Sequence, residues 1–222
     1  KQQLLGSQND MATIRLNEVR ANTMIKNLKK RNIDGIYCPT KEDALKQALS
    51  YIEKGSVVSW GGSMSVEEIG LLDAVRSGDY KVIDRSAAKT PDEQRELHSK
   101  TILADYYLMS TNAITLDGEL INIDGTGNRV GALCYGPKHV IMIVGMNKVA
   151  SNVEDGISRI RNIASPPNCI RLGLETPCSL TGRCGDCFGD TSICSDILIT
   201  RRQSAAMKDR IKVILVGEDL GF

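Results

Sequence analysis

The stretch Ser56-Val57-Val58-Ser59-Trp60-Gly61-Gly62-Ser63-Met64-Ser65-Val66-Glu67-Glu68 decides the fold. Its first five residues are short and apolar enough for a strand buried on both faces. Two glycines then allow a tight exit, and Ser65 followed by Glu68 has the spacing of a capping box, so a helix is expected to begin there. A strand handing over directly to a capped helix is the unit of parallel sheets, because the return helix must bury its apolar stripe against the strands.

The same alternation extends in both directions. Upstream, a helix from about Asn17 to Lys30 places Val19, Ile25 and Leu28 on one face, Ile33 to Cys38 is strand-like, and Thr40 begins a helix from Lys41 to Glu53. Downstream comes a strand from Tyr80 to Asp84. Thr90-Pro91-Asp92-Glu93 then combines an N-cap, a proline at the first helical position and an acidic first turn, which predicts a helix from Pro91 to Leu103. Tyr106 to Thr111 and Leu116 to Ile123 are strand-like, and the turn dipeptide Asp117-Gly118 folds the chain there into a hairpin. A strand from Val140 to Val144, a helix from about Asn152 to Ala164 capped by Ser151, and strands near Ile197 to Thr200 and Val213 to Val216 complete the reading. The expected fold is α/β, an open and mainly parallel sheet flanked by helices, with a local β-hairpin. It forms one domain over residues 1–222, from which residues 165–194 depart as a Cys-rich loop.

Composition narrows the function. The 222 residues carry 28 basic and 27 acidic side chains, a formal net charge of +1, with no long run of either sign, so the footprint of a nucleic-acid binder is missing. Aromatic residues, at 4%, offer little for base stacking, and Lys29-Lys30-Arg31 reads as a solvated helix end. The longest apolar run, Val140 to Val144 with Met146 beyond Gly145, is far short of the ~20 residues of a membrane span. Lys1 to Thr13 contains no apolar signal-peptide region, and a cytoplasmic location is expected.

Four cysteines, Cys178, Cys184, Cys187 and Cys194, gather in a segment bracketed by proline and glycine. Thiolates in one short loop suit zinc or an iron–sulfur cluster; reduced redox-sensing thiols and structural disulfides are the competing readings. Only Cys184 and Cys187 form a Cys-x-x-Cys hook, and the intervals of five residues before it and six after it lean towards an iron–sulfur cluster. Cys38, Cys134 and Cys169 read as small buried hydrophobes, with Cys169 a spare ligand.

Three loops suit a small anion. Gly61-Gly62-Ser63 leaves a strand and enters a helix, although a plain turn would look the same, and it has neither the lysine of a Walker loop nor a dinucleotide fingerprint. Asn112, then Asp124-Gly125, Asn128 and Arg129, mix polar groups with glycines; Asx turns are the alternative. Asn147 and Lys148 follow the Val140 strand, at the carboxyl end where open α/β sheets place ligands, unless Lys148 is a solvated surface lysine. His98 and His139 have no neighbouring nucleophile and read as structural.

Taken jointly, Trp60-Gly61-Gly62-Ser63, Ser110-Thr111-Asn112-Ala113-Ile114 with Asp117-Gly118, Asn122-Ile123-Asp124-Gly125-Thr126-Gly127-Asn128-Arg129-Val130, Gly136-Pro137 and Val144-Gly145-Met146-Asn147-Lys148 resemble the lactate-utilisation (LUD) domain family over nearly the whole chain. Thr176-Pro177-Cys178, Thr181-Gly182-Arg183-Cys184 and Asp186-Cys187 look like its cysteine-containing branch. The resemblance implies a fold similar to glucosamine-phosphate deaminases, ribose-phosphate isomerases and CoA transferases. It also implies a part in oxidising lactate to pyruvate beside iron–sulfur and flavin-type partner proteins. The ferredoxin-like region of larger relatives is not in this sequence, which points to an accessory component rather than a self-sufficient dehydrogenase. Superfamily relatives use acidic residues for proton transfer. Among Glu67, Glu68, Asp117 and Asp124, Glu68 is explained as a capping partner and Asp117 as a turn former, so Asp124 is the catalytic candidate. The expected function is a redox accessory protein that binds a small organic acid or phosphorylated ligand and carries a metal at Cys178, Cys184, Cys187 and Cys194. An isomerase or CoA-transferase-like enzyme with structural zinc, and a non-catalytic sensing or assembly subunit, are the alternatives.

Overall fold

Val140–Val144 lies inside a six-stranded sheet, and its residues alternate between two cores. In a computed structural model, which describes residues 2–222 and side chains from residue 7 onward, this sheet comprises β1 (Asp34–Cys38), β2 (Val57–Trp60), β3 (Lys81–Ile83), β4 (Tyr106–Met109), β7 (His139–Gly145) and β10 (Ile211–Val216). Their spatial order is β1-β10-β7-β4-β2-β3, and every pairing is parallel. β10 inserts between β1 and β7, with Ile214 opposite Ile36 on one side and Ile143 on the other.

The helices are α1 (Gln2–Lys30), α2 (Lys41–Tyr51), α3 (Met64–Glu68), α4 (Leu71–Ser77), α5 (Pro91–Thr101), α6 (Asn128–Cys134), α7 (Val153–Arg159), α8 (Ser165–Arg171) and α9 (Pro177–Thr181). Ile141 and Ile143 of β7 pack in a core with Ala44 and Ala48 of α2, Val66 of α3, and Leu71 and Val75 of α4. Val140, Met142 and Val144 point the other way, into a core with Ala21, Met24 and Leu28 of α1 and Leu133 of α6. Period-two alternation with both faces buried requires a continuous apolar strand, and each fully buried aliphatic side chain contributes roughly 1.5–3 kcal/mol.

A smaller sheet completes the scaffold: β5 (Ala113–Thr115), β6 (Leu120–Asp124), β8 (Val149–Ala150) and β9 (Asp196–Thr200), in the order β8-β5-β6-β9. β5 and β6 are antiparallel across the expected Asp117-Gly118 turn, where Gly118 takes a φ of +89°. The hairpin strand therefore starts at Leu120, not at Leu116, and its partner is Ala113–Thr115.

Several boundaries differ from the sequence reading for local reasons. Ser63, not Ser65, caps α3 through Val66 N–H, and Ser65 is buried instead. Asn152, not Ser151, caps α7, accepting from Asp155 N–H. α1 extends well before Asn17, over a stretch where Met11, Ile14 and Leu16 are exposed and no apolar face marks the helix. The expected Cys-rich loop contains α8, which continues directly from α7 through a π-helical turn at Ile160–Ala164, and α9, where Pro177 occupies a first-turn position at which a missing N–H costs nothing. No described helix is long and apolar enough to cross a membrane.

Candidate functional site

Parallel strands put their carboxyl ends on one edge, and the chain leaving β2, β4, β7 and β10 supplies Gly62 and Ser63, Ser110, Lys148 and Gly221 to that edge. The end of β6 and the following loop face them with Asp124, Gly125 and Asn128, and a helical segment from Ile160 to Leu172 closes a third side. Between these walls lies a cavity of about 300 Å3.

Lys148 is the buried amine in its lining. Its side chain is buried, and Nζ donates to Ser65 Oγ at 2.8 Å and to Ser110 Oγ at 3.1 Å. Among the described residues no carboxylate lies within ion-pair distance of it, and Glu68 instead accepts the Gly221 N–H at 3.0 Å. Burial, then the positive charges of Arg159 and Arg129, outweigh the attraction of Glu68 and bring the amine down to about 7.

Arg129 is held from all sides. Nη1 donates to Asn122 Oδ1 at 2.5 Å, and Nη2 donates to Asn112 Oδ1 at 2.9 Å and to the Ile123 carbonyl at 2.8 Å. Burial lowers its affinity for the proton, while Asp124 and the Tyr107 hydroxyl oppose that shift. Asp124 accepts the N–H groups of Thr126, Arg129 and Val130, so its carboxylate organises the entry into α6. Arg159 crosses the back of the site, donating to the Asn147 and Asn112 carbonyls at 2.9 and 2.8 Å.

The segment that walls the cavity also bears thiols. Ser165 lines the cavity, and its Oγ lies 3.7 Å from Cys194 Sγ. Cys178 Sγ lies 3.9 Å from Cys169 Sγ and 3.2 Å from Thr176 Oγ1. Burial raises the Cys194 thiol, the Ser165 hydroxyl works against that rise, and Cys184, Cys178 and Cys187 add to it. Among the described residues no three His, Cys, Asp or Glu side chains converge as ligands would. The donor set suits a thiophilic centre, and Cys184 and Cys187 are only partly covered, on a loop that includes Gly185 and Gly189. Cys38 and Cys169 are buried as expected, whereas Cys134, at the end of the surface helix α6, is exposed.

A family model described as the LUD domain matches residues 21–216. The chain belongs to the LUD domain family. Solved structures similar to this LUD chain include a DUF162 family protein from Deinococcus radiodurans, at 12% identity and a TM-score of 0.53, covering 90% of this chain and 98% of that one; the likeness is one of fold. Weaker similarities, which support no argument, link it to a ribose-5-phosphate isomerase in complex with phospho-erythronic acid and to eIF2B delta from Chaetomium thermophilum. Both have 18% identity and a TM-score of 0.36; they cover 51% and 53% of this chain and 54% and 50% of theirs. No curated protein matches the chain in sequence.

Of the sequence-selected residues, Gly62, Ser63, Asn112, Asp124, Gly125, Asn128, Arg129 and Lys148 of the LUD chain line the one cavity. Gly61 and Asn147 stand behind it. A Cβ at Gly61 would lie 2.8 Å from the Tyr107 hydroxyl, and Asn147 ties down the chain after β10 through Leu220. The sequence reading missed Ser65 and Ser110, which hold Lys148, and Arg85 and Arg171 on the rim. His98 lines a second, more apolar cavity of about 460 Å3 that shares Arg85, Thr126 and Asn128 with the first, and burial, followed by Arg85, lowers its pKa. His139 stacks on Tyr106 with ring centroids 5.0 Å apart, a packing role.

Proposed function

We propose that this LUD chain is an accessory component of lactate or related organic-acid oxidation, holding a small 2-hydroxy or 2-oxo acid in the carboxyl-edge cavity and a metal centre in the wall beside it. The observation that carries this reading is Ser165, which faces the cavity and contacts Cys194 in the same stroke. An acid bound in the cavity would lie next to the thiol-bearing segment, and the arginines at and behind the rim give it a positive field. Cys178, Cys184, Cys187 and Cys194 would hold the centre, with Cys169 a fifth thiol beside Cys178. An iron–sulfur cluster there would supply one-electron transfer to an iron–sulfur or flavin partner protein, whereas zinc would only fix the segment.

Protein prepared without oxygen is to be tested by elemental analysis, absorption spectroscopy and calorimetry with lactate, pyruvate and inorganic phosphate. The expected result is iron with sulfide, visible absorbance that disappears in Cys184→Ser and Cys187→Ser, and saturable binding of at least one acid. Protein carrying neither iron nor zinc would defeat the metal part. Zinc together with turnover of a sugar phosphate would select the isomerase alternative.

A further inference from the structure

Lys148 has more built around it than anion binding requires. A lysine that serves only as a positive charge is usually solvated or paired with a carboxylate, whereas this one retains 5% exposure and meets only hydroxyl partners. Both serines are themselves oriented. Ser65 Oγ donates to the Leu220 carbonyl at 3.3 Å and Ser110 Oγ donates to the Thr111 carbonyl at 3.3 Å, so each hydroxyl turns a lone pair, not a proton, towards Nζ. A tetrahedral nitrogen has three positions besides its bond to Cε. Two point at these serines, and the third is left for the cavity that Lys148 lines. In the neutral amine, two N–H donors match the two serine acceptors and the third position is the lone pair.

We propose that Lys148 is a nucleophile that forms an imine with the carbonyl carbon of a small 2-oxo acid held in this cavity. This rests on the acid-binding reading above. The Nζ lone pair forms the N–C bond as the C=O π pair moves onto oxygen. A proton passes from nitrogen to that oxygen to give the carbinolamine. The C–O bond then breaks as the nitrogen lone pair completes the C=N bond, and the oxygen leaves as water, taking as its second proton the one that nitrogen still carries. No oxidant or reductant is consumed, and the products are the imine and one water. The lowered basicity of Lys148 leaves a substantial neutral fraction near neutrality, which the first step requires. Arg85 and Arg171 on the rim are placed to counter the acid's carboxylate.

The test uses the full chain with pyruvate and with glyoxylate as probes, treated with sodium borohydride, which reduces an imine to a stable secondary amine. Intact mass and peptide mapping locate the label, and calorimetry on the same preparations measures binding. The expected result is stoichiometric reduction-trapped label on the peptide carrying Lys148, lost in Lys148→Arg, whose circular dichroism shows it folded. Saturable binding without label would overturn the imine and leave the acid-binding reading standing. Label spread over other lysines and equal in Lys148→Arg would overturn it too. Neither binding nor label with either acid, and no binding of lactate to the same preparation, would remove both readings.

Discussion

Asp124 and Arg129 form a long ion pair rather than a side-chain hydrogen bond: Arg129 Nε is 3.9 Å from Asp124 Oδ2, while that oxygen accepts the backbone N–H groups of Arg129 and Val130, each at 3.1 Å. The residue before α6, Gly127, has no side chain to cap the helix, and Asp124 does this from three residues further back. Asp124→Ala is expected to cost about 1–2 kcal/mol in chemical denaturation, and Asp124→Asn to recover most of that through its remaining oxygen. A proton-transfer role for Asp124 would show instead as Asn and Ala variants equally impaired in function but unequal in stability.

Lys148 ties stability to pH. Its folded value of about 7 lies below the ordinary 10.5, so between these limits the unfolded chain binds a proton that the folded chain does not. Wild-type stability should rise across that window, and below it the cost of burying the charge is carried in full. Lys148→Met has no such cost. Its unfolding free energy by denaturant titration should exceed that of the wild type most clearly at pH 6, and the gap should narrow by about 1.4 kcal/mol per pH unit above 7. A gap independent of pH between 6 and 10 would mean that the amine titrates normally.

Arg129→Lys keeps the charge but cannot reproduce the fork. An ammonium at this depth would reach one of Asn122, Asn112 and the Ile123 carbonyl and leave buried acceptors unmatched. The expected loss is about 2–3 kcal/mol of stability by denaturant titration, with weaker binding of acids in the cavity.

The thiols should divide by exposure. Cys134 is exposed, Cys184, Cys187 and Cys194 are partly covered, and Cys38, Cys169 and Cys178 are buried. A maleimide time course followed by peptide mapping should label the exposed and partly covered thiols before the buried ones. Loading with the metal should protect Cys184, Cys187 and Cys194 while leaving Cys134 reactive, and unchanged labelling of all four would argue against ligation there.

The sheet was legible in the sequence because its inner strands are buried on both faces: Val140–Val144 can only be interior, and Thr90 with Glu93 forms the full reciprocal cap that their spacing implies. Most of the cavity lining was legible too, since polar residues and glycines crowd the carboxyl edge. What stayed hidden depends on distance along the chain. Ser65 and Ser110 lie 83 and 38 residues from Lys148, and nothing local marks either serine as its partner. α6 was hidden because Gly-Thr-Gly-Asn reads as turn, and its cap is supplied from an unusual position. α8 and α9 were hidden because their prolines read as breakers, whereas Pro177 opens α9 and Pro166 follows a π-helical turn that carries α7 onward.

The place of β10 has a consequence for biosynthesis. Ile211–Val216 fills the slot between β1 and β7, so a nascent chain must emerge from the ribosome almost to this point before those two strands acquire their shared neighbour. Until then both present unsatisfied inner edges, a state that invites intermolecular pairing and that chaperones would be expected to shield.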